Sequence, residues 1–306
     1  MTKPVIDQAF ILGAGMGTRL RPLTLLLPKP LVPVFHRPMA AHAFEACAAI
    51  GISRFAVNTH HLAAAWNGFQ PPAGTRVEFF HEPVLLDTGG GLKNIEPWIG
   101  GKPALVHNGD ILTRMPLDEL VRAHHESDAL ATLAVRRHGP PPHLALDATG
   151  SRVADIRRML DRADGTHGFT GVYCIAPEFL ALIPPGRIAS VIPAFLECIR
   201  RGRLGAAVIE DGLWLDLGDR DSYLRAHRDL ALDAKIHPEA VIHPSAEVSR
   251  SVVGPGASVK AGARLDGCVV WPGASVRAGA QLSNCIIATT ACGKHREADF
   301  TGESGS

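Results

Sequence analysis

The sequence predicts an α/β fold, with a mostly parallel sheet, followed by a smaller domain of short repeated strands. Apolar runs alternate with helical patterns up to about residue 233, which is typical of parallel strands joined by crossover helices. Beyond that point the helical pattern stops, and aliphatic residues return with a 17-residue period. We therefore expect an α/β domain over residues 1–233, a β-helix over residues 234–293 and a disordered tail over residues 294–306.

The elements of the α/β domain are marked by apolar runs and by helix-terminating residues. The first strand closes in a glycine loop, and the first helix, Pro38 to Gly51, has proline near its start and glycine past its end. A hairpin is expected between Leu144 and Ile156, and a strand runs into a helix between Leu213 and Leu232. The other predicted strands are 54–59, 76–82, 103–110, 129–137 and 168–177, and the other predicted helices are 117–127, 177–183 and 189–202.

The repeat after residue 235 indicates stacked coils. SVVGPGASV (Ser251 to Val259) returns 17 residues later as CVVWPGASV (Cys268 to Val276). One inward aliphatic residue on each side of a coil is typical of a β-helix, and about three coils fit. The aliphatic positions are Ile236, Ile242, Val248, Val253, Val259, Leu265, Val270, Val276, Leu282 and Ile287.

Composition and charge exclude several classes of protein. With 46% hydrophobic residues, 20% charged residues and a net charge of +1, the chain is of globular type and offers no bulk attraction to nucleic acid or acidic membranes. Met1 to Leu12 has the features of neither a signal peptide nor a membrane span, so a cytoplasmic location is expected. The six cysteines are scattered, without zinc-like spacing, and are expected to be reduced and mostly buried.

The stretch Leu12 to Pro30, LGAGMGTRLRPLTLLLPKP, has the features of a phosphate-binding loop. Glycines at the end of a buried strand let backbone N–H groups point at an anion. No acidic residue occurs between Asp7 and Glu45, whereas Arg19 and Lys29 fall in this interval. The P-loop and dinucleotide-binding patterns are both absent, so the loop predicts a polyphosphate ligand held in another way.

Two acidic residues and a second glycine cluster complete the candidate site. Asp110, in HNGDIL, ends a predicted strand, and Asp216, in WLDLGD, lies on the last strand of the α/β domain. A pair of carboxylates at strand ends is typical of Mg²⁺ binding. In DTGGGLKNIEP, Thr88 and Gly89 are placed to contact a flat base, although a helix N-terminus capped by Thr88 explains the same residues, and both interpretations hold together.

These motifs resemble the signature of the sugar-phosphate nucleotidyltransferases, or nucleoside-diphosphate-sugar pyrophosphorylases. LGAGMGTRLRPLT, PKP, NGD, FTG (Phe169 to Gly171) and WLDLGDRDSYLRAH match in order, with Gly13 where alanine is more usual. The resemblance implies a Rossmann-like nucleotidyltransferase domain followed by a left-handed β-helix. It also implies that a sugar-phosphate oxygen attacks the α-phosphorus of a nucleoside triphosphate and expels pyrophosphate, a reaction that depends on positioning and charge neutralisation.

The resemblance assigns roles to individual residues. Arg19 and Lys29 contact the triphosphate, and Asp110 and Asp216 bind Mg²⁺, so these four are the expected catalytic residues. Relatives carry Glu-Lys-Pro before the FTG-like strand, but here the sequence is IRRMLDR. Two interpretations are open: Arg157 or Arg158 substitutes for the lysine, or both are solvated charges on a strand edge. The sugar-phosphate group is assigned to Thr170, Gly171 and Arg158. The residues expected to hold the nucleotide are Leu12, Gly13, Ala14, Gly15, Met16, Gly17, Thr18, Thr88, Gly89, Asn108 and Gly109.

The motifs do not determine which nucleotide base and which sugar 1-phosphate the protein would use. The TGGG motif is similar to N-acetylmuramate-1-phosphate uridylyltransferases and heptose-1-phosphate guanylyltransferases, whereas the β-helix is similar to mannose-1-phosphate guanylyltransferases. We expect a mannose-1-phosphate guanylyltransferase-like enzyme that uses GTP, with UTP as the alternative, and that forms a homo-oligomer through the β-helix or the catalytic domain. Two alternatives of another class are a non-catalytic sugar-nucleotide-binding regulatory subunit and a hexapeptide acyltransferase; only His237 and His243 in the coils would serve the latter.

Overall fold

The computed structural model describes residues 5–288, so Cys292, the end of the expected β-helix and the predicted tail lie outside the described residues. The chain forms two compact units. The first contains the chain up to Met16, Ala40–Ala64 and Gly68–Asp216, and the second contains Gly17–Met39, Ala65–Asn67 and the chain from Leu217 onward. The glycine loop thus passes from the first unit into the second after Met16. This division does not follow the boundary expected at residue 233, which remains a prediction.

Thirteen strands precede the β-helix among the described residues, and six α-helices accompany them. The strands are β1 (Gln8–Leu12), β2 (Pro33–Val34), β3 (Arg37–Pro38), β4 (Arg54–Thr59), β5 (Arg76–His81), β6 (Ala104–Asn108), β7 (Ile111–Thr113), β8 (Ala131–Arg136), β9 (Leu144–Leu146), β10 (Val153–Ile156), β11 (Gly168–Ile175), β12 (Leu204–Val208) and β13 (Trp214–Asp216). The helices are α1 (Met39–Ala48), α2 (Asp87–Asn94), α3 (Glu96–Ile99), α4 (Leu117–Glu126), α5 (Ile192–Arg200) and α6 (Arg220–Asp229). Short 3-10 helices cover Thr18–Leu20, Leu23–Leu25, Lys29–Leu31, Ala63–Gly68 and Pro177–Leu182.

A seven-stranded sheet organises the first unit. Its order is β12-β8-β11-β6-β1-β4-β5. All neighbouring pairs are parallel except those of β11, which runs antiparallel between β6 and β8. The mostly parallel sheet predicted from the alternating pattern is confirmed, since helices cover buried apolar strands.

The main hydrophobic core lies between one face of this sheet and the helices α2, α3 and α5. Phe10 and Val106 from the sheet, and Phe195 from α5, are fully buried in it. On the other face Phe44 of α1 stacks on Phe55 of β4, with ring centroids 4.5 Å apart. Both faces of the central strands are therefore covered, which explains their continuous apolar runs.

The second unit contains the predicted β-helix. Its nine strands are β14 (Val241–Ile242), β15 (Glu247–Ser249), β16 (Val252–Val253), β17 (Ser258–Val259), β18 (Arg264–Asp266), β19 (Val269–Val270), β20 (Ser275–Val276), β21 (Gln281–Ser283) and β22 (Ile286–Ile287). They form three parallel three-stranded sheets in which each residue pairs with the residue 17 positions later, as Val253 does with Val270. Val253, Val259 and Leu265 are at most 2% exposed. The β-helix interpretation of the repeat is confirmed.

Most predicted elements are found with boundaries within about three residues. The strand β12 was not predicted, because LGAAV is a short run of small residues that follows directly on a helix. In the part of the chain that the structure describes, no helix has the length and apolar character needed to cross a membrane.

Candidate active site

The candidate site lies at the carboxyl edge of the seven-stranded sheet. The parallel strands β1, β4 and β6 end at this edge, and β11 begins there because it runs in the opposite direction. Leu12 pairs with Asn108 at the ends of β1 and β6, and the Gly109 N–H donates a hydrogen bond of 3.0 Å to the Leu12 carbonyl. The structure therefore brings the glycine loop and the NGD turn together, as expected for the ligand-binding edge of an α/β sheet.

The glycines of the loop have different environments. The Gly13 N–H donates to the Asn58 side-chain oxygen (2.7 Å), so it is engaged within the protein. Gly15 is exposed and has open space where a Cβ would lie, which leaves its backbone accessible to a ligand. In the second unit, Gly17 has φ +57° and would place a Cβ 2.7 Å from Thr24 Cγ2, so a side chain is excluded there.

A buried polar pair that belongs to none of the predicted motifs supports this loop. The Asn58 amide donates to Glu82 Oε1 (2.8 Å), while its oxygen accepts from Gly13. The other carboxylate oxygen of Glu82 accepts from the Leu86 N–H, one residue before α2. Asn58 and Glu82 are 3% and 1% exposed. This pair therefore links the start of the glycine loop to the start of the glycine-rich helix.

The second glycine cluster forms α2, and its glycines are required by packing. A Cβ on Gly89 would lie 2.7 Å from the Ser190 carbonyl oxygen, and one on Gly90 would lie 2.5 Å from that of Arg187. The Gly89 and Gly90 N–H groups both donate to the Ala189 carbonyl, at 2.8 Å. The cluster thus packs against the segment before α5, and these two N–H groups are already engaged within the protein.

The prediction that Thr88 caps the helix N-terminus is wrong. The helix begins at Asp87, with Leu86 at the N-cap position and no side-chain cap. The Thr88 hydroxyl instead accepts a hydrogen bond of 3.0 Å from the Val191 N–H. It joins α2 to the start of α5.

The two acidic residues lie on neighbouring segments of the chain. The strand β13 pairs antiparallel with β7, and Asp216 faces Ile111, the residue after Asp110. Within the described chain, β13 pairs with β7 alone and is not part of the seven-stranded sheet. Asp110 is half-buried and Asp216 is exposed. Two carboxylates on neighbouring segments fit Mg²⁺, which takes one or two protein carboxylates and completes its shell with phosphate oxygens and water. No larger metal-binding group of three His, Cys, Asp or Glu occurs between residues 5 and 288.

The FTG residues on β11 hold their neighbours in place. The buried Thr170 donates its hydroxyl to the Ala134 carbonyl (2.8 Å), and its own carbonyl accepts from the Trp214 indole N–H (2.8 Å). Gly171 has φ +82° and would place a Cβ 2.9 Å from the Asn108 amide nitrogen. These contacts fix Asn108 and the strand that carries Asp216.

A buried arginine, also missed from the sequence, supports β13 from its other end. Arg136 is 9% exposed, and its guanidinium donates to the carbonyls of Glu210 and Gly212, the latter at 2.9 Å. Gly212 itself lies so close to the Arg114 carbonyl that no Cβ fits, and its φ is +78°. The turn that leads into Asp216 is therefore held on both sides.

Arg158, assigned to the sugar phosphate, forms ion pairs with Asp161 (2.9 Å) and Asp164 (3.2 Å) in an exposed loop. The buried Asp155 carboxylate organises this loop by accepting backbone N–H groups, including that of Arg162 at 2.8 Å. Arg157 and Arg158 both have positive φ, at 53° and 55°. Such consecutive left-handed conformations are uncommon for residues other than glycine.

Arg19 and Lys29 belong to the second unit. The Lys29 side chain is 5% exposed and lies in the short 3-10 helix Lys29–Leu31. The Arg19 guanidinium lies about 2.9 Å from where a Cβ on Gly218 would be. The pKa of Asp219 is lowered, first by the backbone N–H of Ser222 that it caps and in smaller part by the charge of Arg19.

Comparison with protein families shows the family to which the chain belongs. The model of the nucleotidyl transferase family matches residues 8–232, nearly three quarters of the chain. The chain belongs to the nucleotidyl transferase family. A second match, to the GlmU-like C-terminal hexapeptide family, covers residues 224–293 and includes all the coils of this nucleotidyl transferase.

Individual relatives show which members of the family this chain is similar to. The mannose-1-phosphate guanylyltransferase of Mycobacterium tuberculosis is 31% identical over 278 residues, which is 82% of this chain and 76% of that protein. The mannose-1-phosphate guanyltransferase of Aspergillus fumigatus is 30% identical over 227 residues, 71% of this chain and 62% of that protein. The resemblance of this nucleotidyl transferase to sugar-phosphate nucleotidyltransferases is confirmed.

Solved structures share the fold. UDP-glucose pyrophosphorylase from Acinetobacter baumannii superposes with a TM-score of 0.63 at 19% identity, covering 72% of this chain and 92% of that chain. A UDP-glucose pyrophosphorylase complexed with UDP-glucose gives 0.61 at 18% identity, covering 72% and 97%. At this identity the likeness concerns the nucleotidyl transferase fold alone.

Proposed function

We propose that this enzyme is a mannose-1-phosphate guanylyltransferase, which joins mannose 1-phosphate to GTP and releases GDP-mannose and pyrophosphate. The observation that carries the proposal is the 31% identity to the Mycobacterium tuberculosis guanylyltransferase, which extends over 82% of the chain. Further relatives with the same activity in their names match at 26% to 30% identity. The glycine loop and the paired carboxylates supply the groups that such a reaction requires.

In this reaction an ionised oxygen of the sugar phosphate attacks the α-phosphorus of GTP. A new P–O bond forms, the bond to the β-phosphate oxygen breaks, and pyrophosphate carries away the electron pair. The attacking oxygen is already ionised, so no general base is needed. The protein contributes positioning and compensation of charge, which is where most catalysis of phosphoryl transfer arises.

We assign the residues as follows. The accessible loop backbone at Gly15 binds the nucleotide, and Arg19 and Lys29 compensate the triphosphate charge. Asp110 and Asp216 would hold Mg²⁺, which supplies further neutralisation of the phosphates when it is bound. The sugar phosphate is assigned to the edge near Thr170 and Gly171. A part for Arg158 would require it to exchange its ion pairs with Asp161 and Asp164 for the substrate.

The proposal is tested by pyrophosphate release from GTP, UTP, CTP and dTTP, each with Mg²⁺ and with mannose, glucose, N-acetylmuramate and heptose 1-phosphates. We expect the highest kcat/KM for GTP with mannose 1-phosphate. A preference for UTP with N-acetylmuramate 1-phosphate, or for GTP with heptose 1-phosphate, would replace the proposed substrates but keep the reaction. Silence with every pair, combined with binding of a sugar nucleotide, would favour the regulatory-subunit alternative.

We also propose that the enzyme forms a homo-oligomer through the β-helix or the catalytic domain. Light scattering after size-exclusion chromatography measures this directly. A mass of 32.6 kDa, that of one chain, over the working concentration range would contradict it.

A further inference from the structure

Trp271 breaks the repeat of the β-helix. The two copies SVVGPGASV and CVVWPGASV are identical at seven of nine positions, and one of the two differences puts Trp271 where the previous coil has Gly254. The equivalent position in the next coil is Ala288. A coil does not need a tryptophan here for its own core, because Gly254 and Ala288 occupy this position in the coils before and after it. The indole is 2% exposed, so it is buried against something else.

The partner of Trp271 is the helix α6. The indole N–H donates a hydrogen bond of 3.0 Å to the Tyr223 hydroxyl, which in turn donates to the Pro33 carbonyl at 2.5 Å. Tyr223 is fully buried, and burial raises the pKa of its phenol. The hydroxyl therefore stays neutral and acts as donor and acceptor at once. Trp271, Tyr223 and Pro33 form a continuous chain of contacts, which we call the Trp271 relay.

A second contact from α6 reaches the same segment one turn later. The imidazole of His227 accepts the Phe35 N–H at Nε2 (2.8 Å) and bonds the Tyr223 carbonyl through Nδ1 (2.8 Å). The rings of Phe35 and His227 stack with centroids 5.2 Å apart. Phe35 has φ +56°, a conformation that is unfavourable for a bulky residue and persists when its surroundings hold it.

The segment held in this way carries Lys29. Pro33 lies four residues after Lys29, and the Val32 N–H donates to the Lys29 carbonyl at 3.1 Å. The Lys29 Cβ is also 3.0 Å from where a Cβ on Gly17 would lie, at the end of the glycine loop. Every contact in this series lies within the second unit.

We propose that Trp271 is a positioning residue for nucleotide binding, through which the β-helix fixes the segment Lys29–Phe35 by way of Tyr223. The inference rests on the proposed function, in which Lys29 contacts the triphosphate. The β-helix is then part of the nucleotide-binding apparatus, in addition to any part it has in assembly. Loss of the indole N–H leaves the segment Lys29–Phe35 less ordered in the free enzyme. Nucleotide binding must then order it, which lowers nucleotide affinity.

The test compares Trp271→Phe and Tyr223→Phe with two controls. Trp98→Phe removes another indole N–H, which is bound to Glu78 at the protein surface. Val276→Ala creates a cavity in the neighbouring part of a coil without removing a member of the relay. We expect both relay variants to raise KM for the nucleoside triphosphate about fivefold or more, the scale of one lost buried hydrogen bond, with kcat and the sugar-phosphate KM within about twofold. The double variant should add little, because the two residues act in series.

Hydrogen exchange gives a readout that does not depend on turnover. The amide of Phe35 should exchange faster in Trp271→Phe and Tyr223→Phe than in the wild type, and unchanged in Trp98→Phe. Unchanged exchange at the amides of residues 34 and 35 in both relay variants overturns the inference, as does an equal rise of the nucleotide KM in Val276→Ala at matched loss of stability. If the wild type releases no pyrophosphate with any pair, the proposed function has failed, while the exchange data still decide whether the relay orders the segment.

Discussion

Asn58 makes two buried hydrogen bonds, and its partners lie on different segments. One bond holds the Gly13 N–H and the other holds Glu82, whose second oxygen holds the chain before α2. The glycine loop is therefore kept open by a side chain that no loop motif contains. At the scale of single residues, the shape of the site depends on polar groups behind it as much as on the groups that face the substrate.

Replacing Asn58 by alanine should destabilise the protein substantially. The change leaves the Gly13 N–H and one Glu82 oxygen buried without their partners, and each costs about 1–3 kcal/mol. We expect the free energy of unfolding in urea to fall by about 2–6 kcal/mol, with the nucleotide KM raised. Asn94→Ala, at an exposed position of α2, is the matched control. A loss below about 0.5 kcal/mol, the usual range of surface changes, would show that the pair does not support the fold.

The paired carboxylates should be needed for turnover and not for folding. Asp110→Asn and Asp216→Asn keep the side-chain shape but remove the charge that would hold Mg²⁺. We expect each to lower kcat by at least about 10²-fold, the scale for removing a group that stabilises charge in the transition state. The control is Glu178→Gln, which changes an exposed acid in a short helix. Near-normal pyrophosphate release by both aspartate variants would rule out the metal assignment.

At the scale of elements, the glycines of α2 are poor helix formers that close packing requires. Glycine costs about 1 kcal/mol relative to alanine in a helix interior, and α2 contains three in a row. Gly89 and Gly90 approach the segment 187–190, and Gly91 approaches the Asn58–Glu82 pair, at distances that no Cβ allows. Close approach between backbones therefore outweighs helix propensity here.

For a glycine-to-alanine change in α2, helix propensity predicts a gain in stability, whereas packing predicts a loss. Gly90→Ala should destabilise the protein by about 1–3 kcal/mol, the usual cost of overpacking, although alanine is the better helix former. Gly68→Ala is the control, because its Cβ would meet nothing within 4 Å. Thermal unfolding of the two variants measures the difference. A Tm of Gly90→Ala at or above that of the wild type would mean that the segment 187–190 yields without cost.

The sequence patterns predicted helices and strands better than they predicted the hydrogen-bond partners of individual side chains. The runs of β1, β4 and β11 and the 17-residue repeat predicted correct strands, because burial on both faces leaves a local signature. Asn58 was overlooked even though a polar residue near the end of an apolar strand is such a signal. Arg136 had no signal, because its partners are the backbone carbonyls of Glu210 and Gly212, far away along the chain. Thr88 was misassigned because the same residue type serves as a cap and as a distant acceptor.

At the scale of the whole molecule, each compact unit contains a fully buried histidine whose pKa is lowered. Burial lowers the pKa of His107 and of His227 from 6.5 to about 4. In the unfolded chain both take up a proton near pH 6.5, whereas in the folded protein they stay neutral until about pH 4. The unfolded state therefore binds more protons in this interval, and the stability present above pH 6.5 is lost as the pH falls to about 4.

Urea unfolding between pH 7 and pH 4 measures this loss, for which we expect on the order of 3 kcal/mol per histidine. His227→Gln removes one titrating group and leaves an amide that accepts the Phe35 N–H, so its pH dependence should be flatter. His138→Gln changes an exposed histidine and should follow the wild type. Parallel curves for His227→Gln and the wild type would contradict the assignment.

The reversed direction of β11 has a consequence for how such proteins diversify. The chain leaves the sheet after Arg136 and re-enters at Gly168, and these two residues are directly paired, so departure and return occur at the same edge. Everything between them, including the hairpin β9–β10, is an insertion that starts and ends at this edge of the sheet. Leu144, Val153 and Ile156 of this insertion are buried in the main core, so changes of length are expected in its exposed turns, where they leave the order of the seven strands as it is.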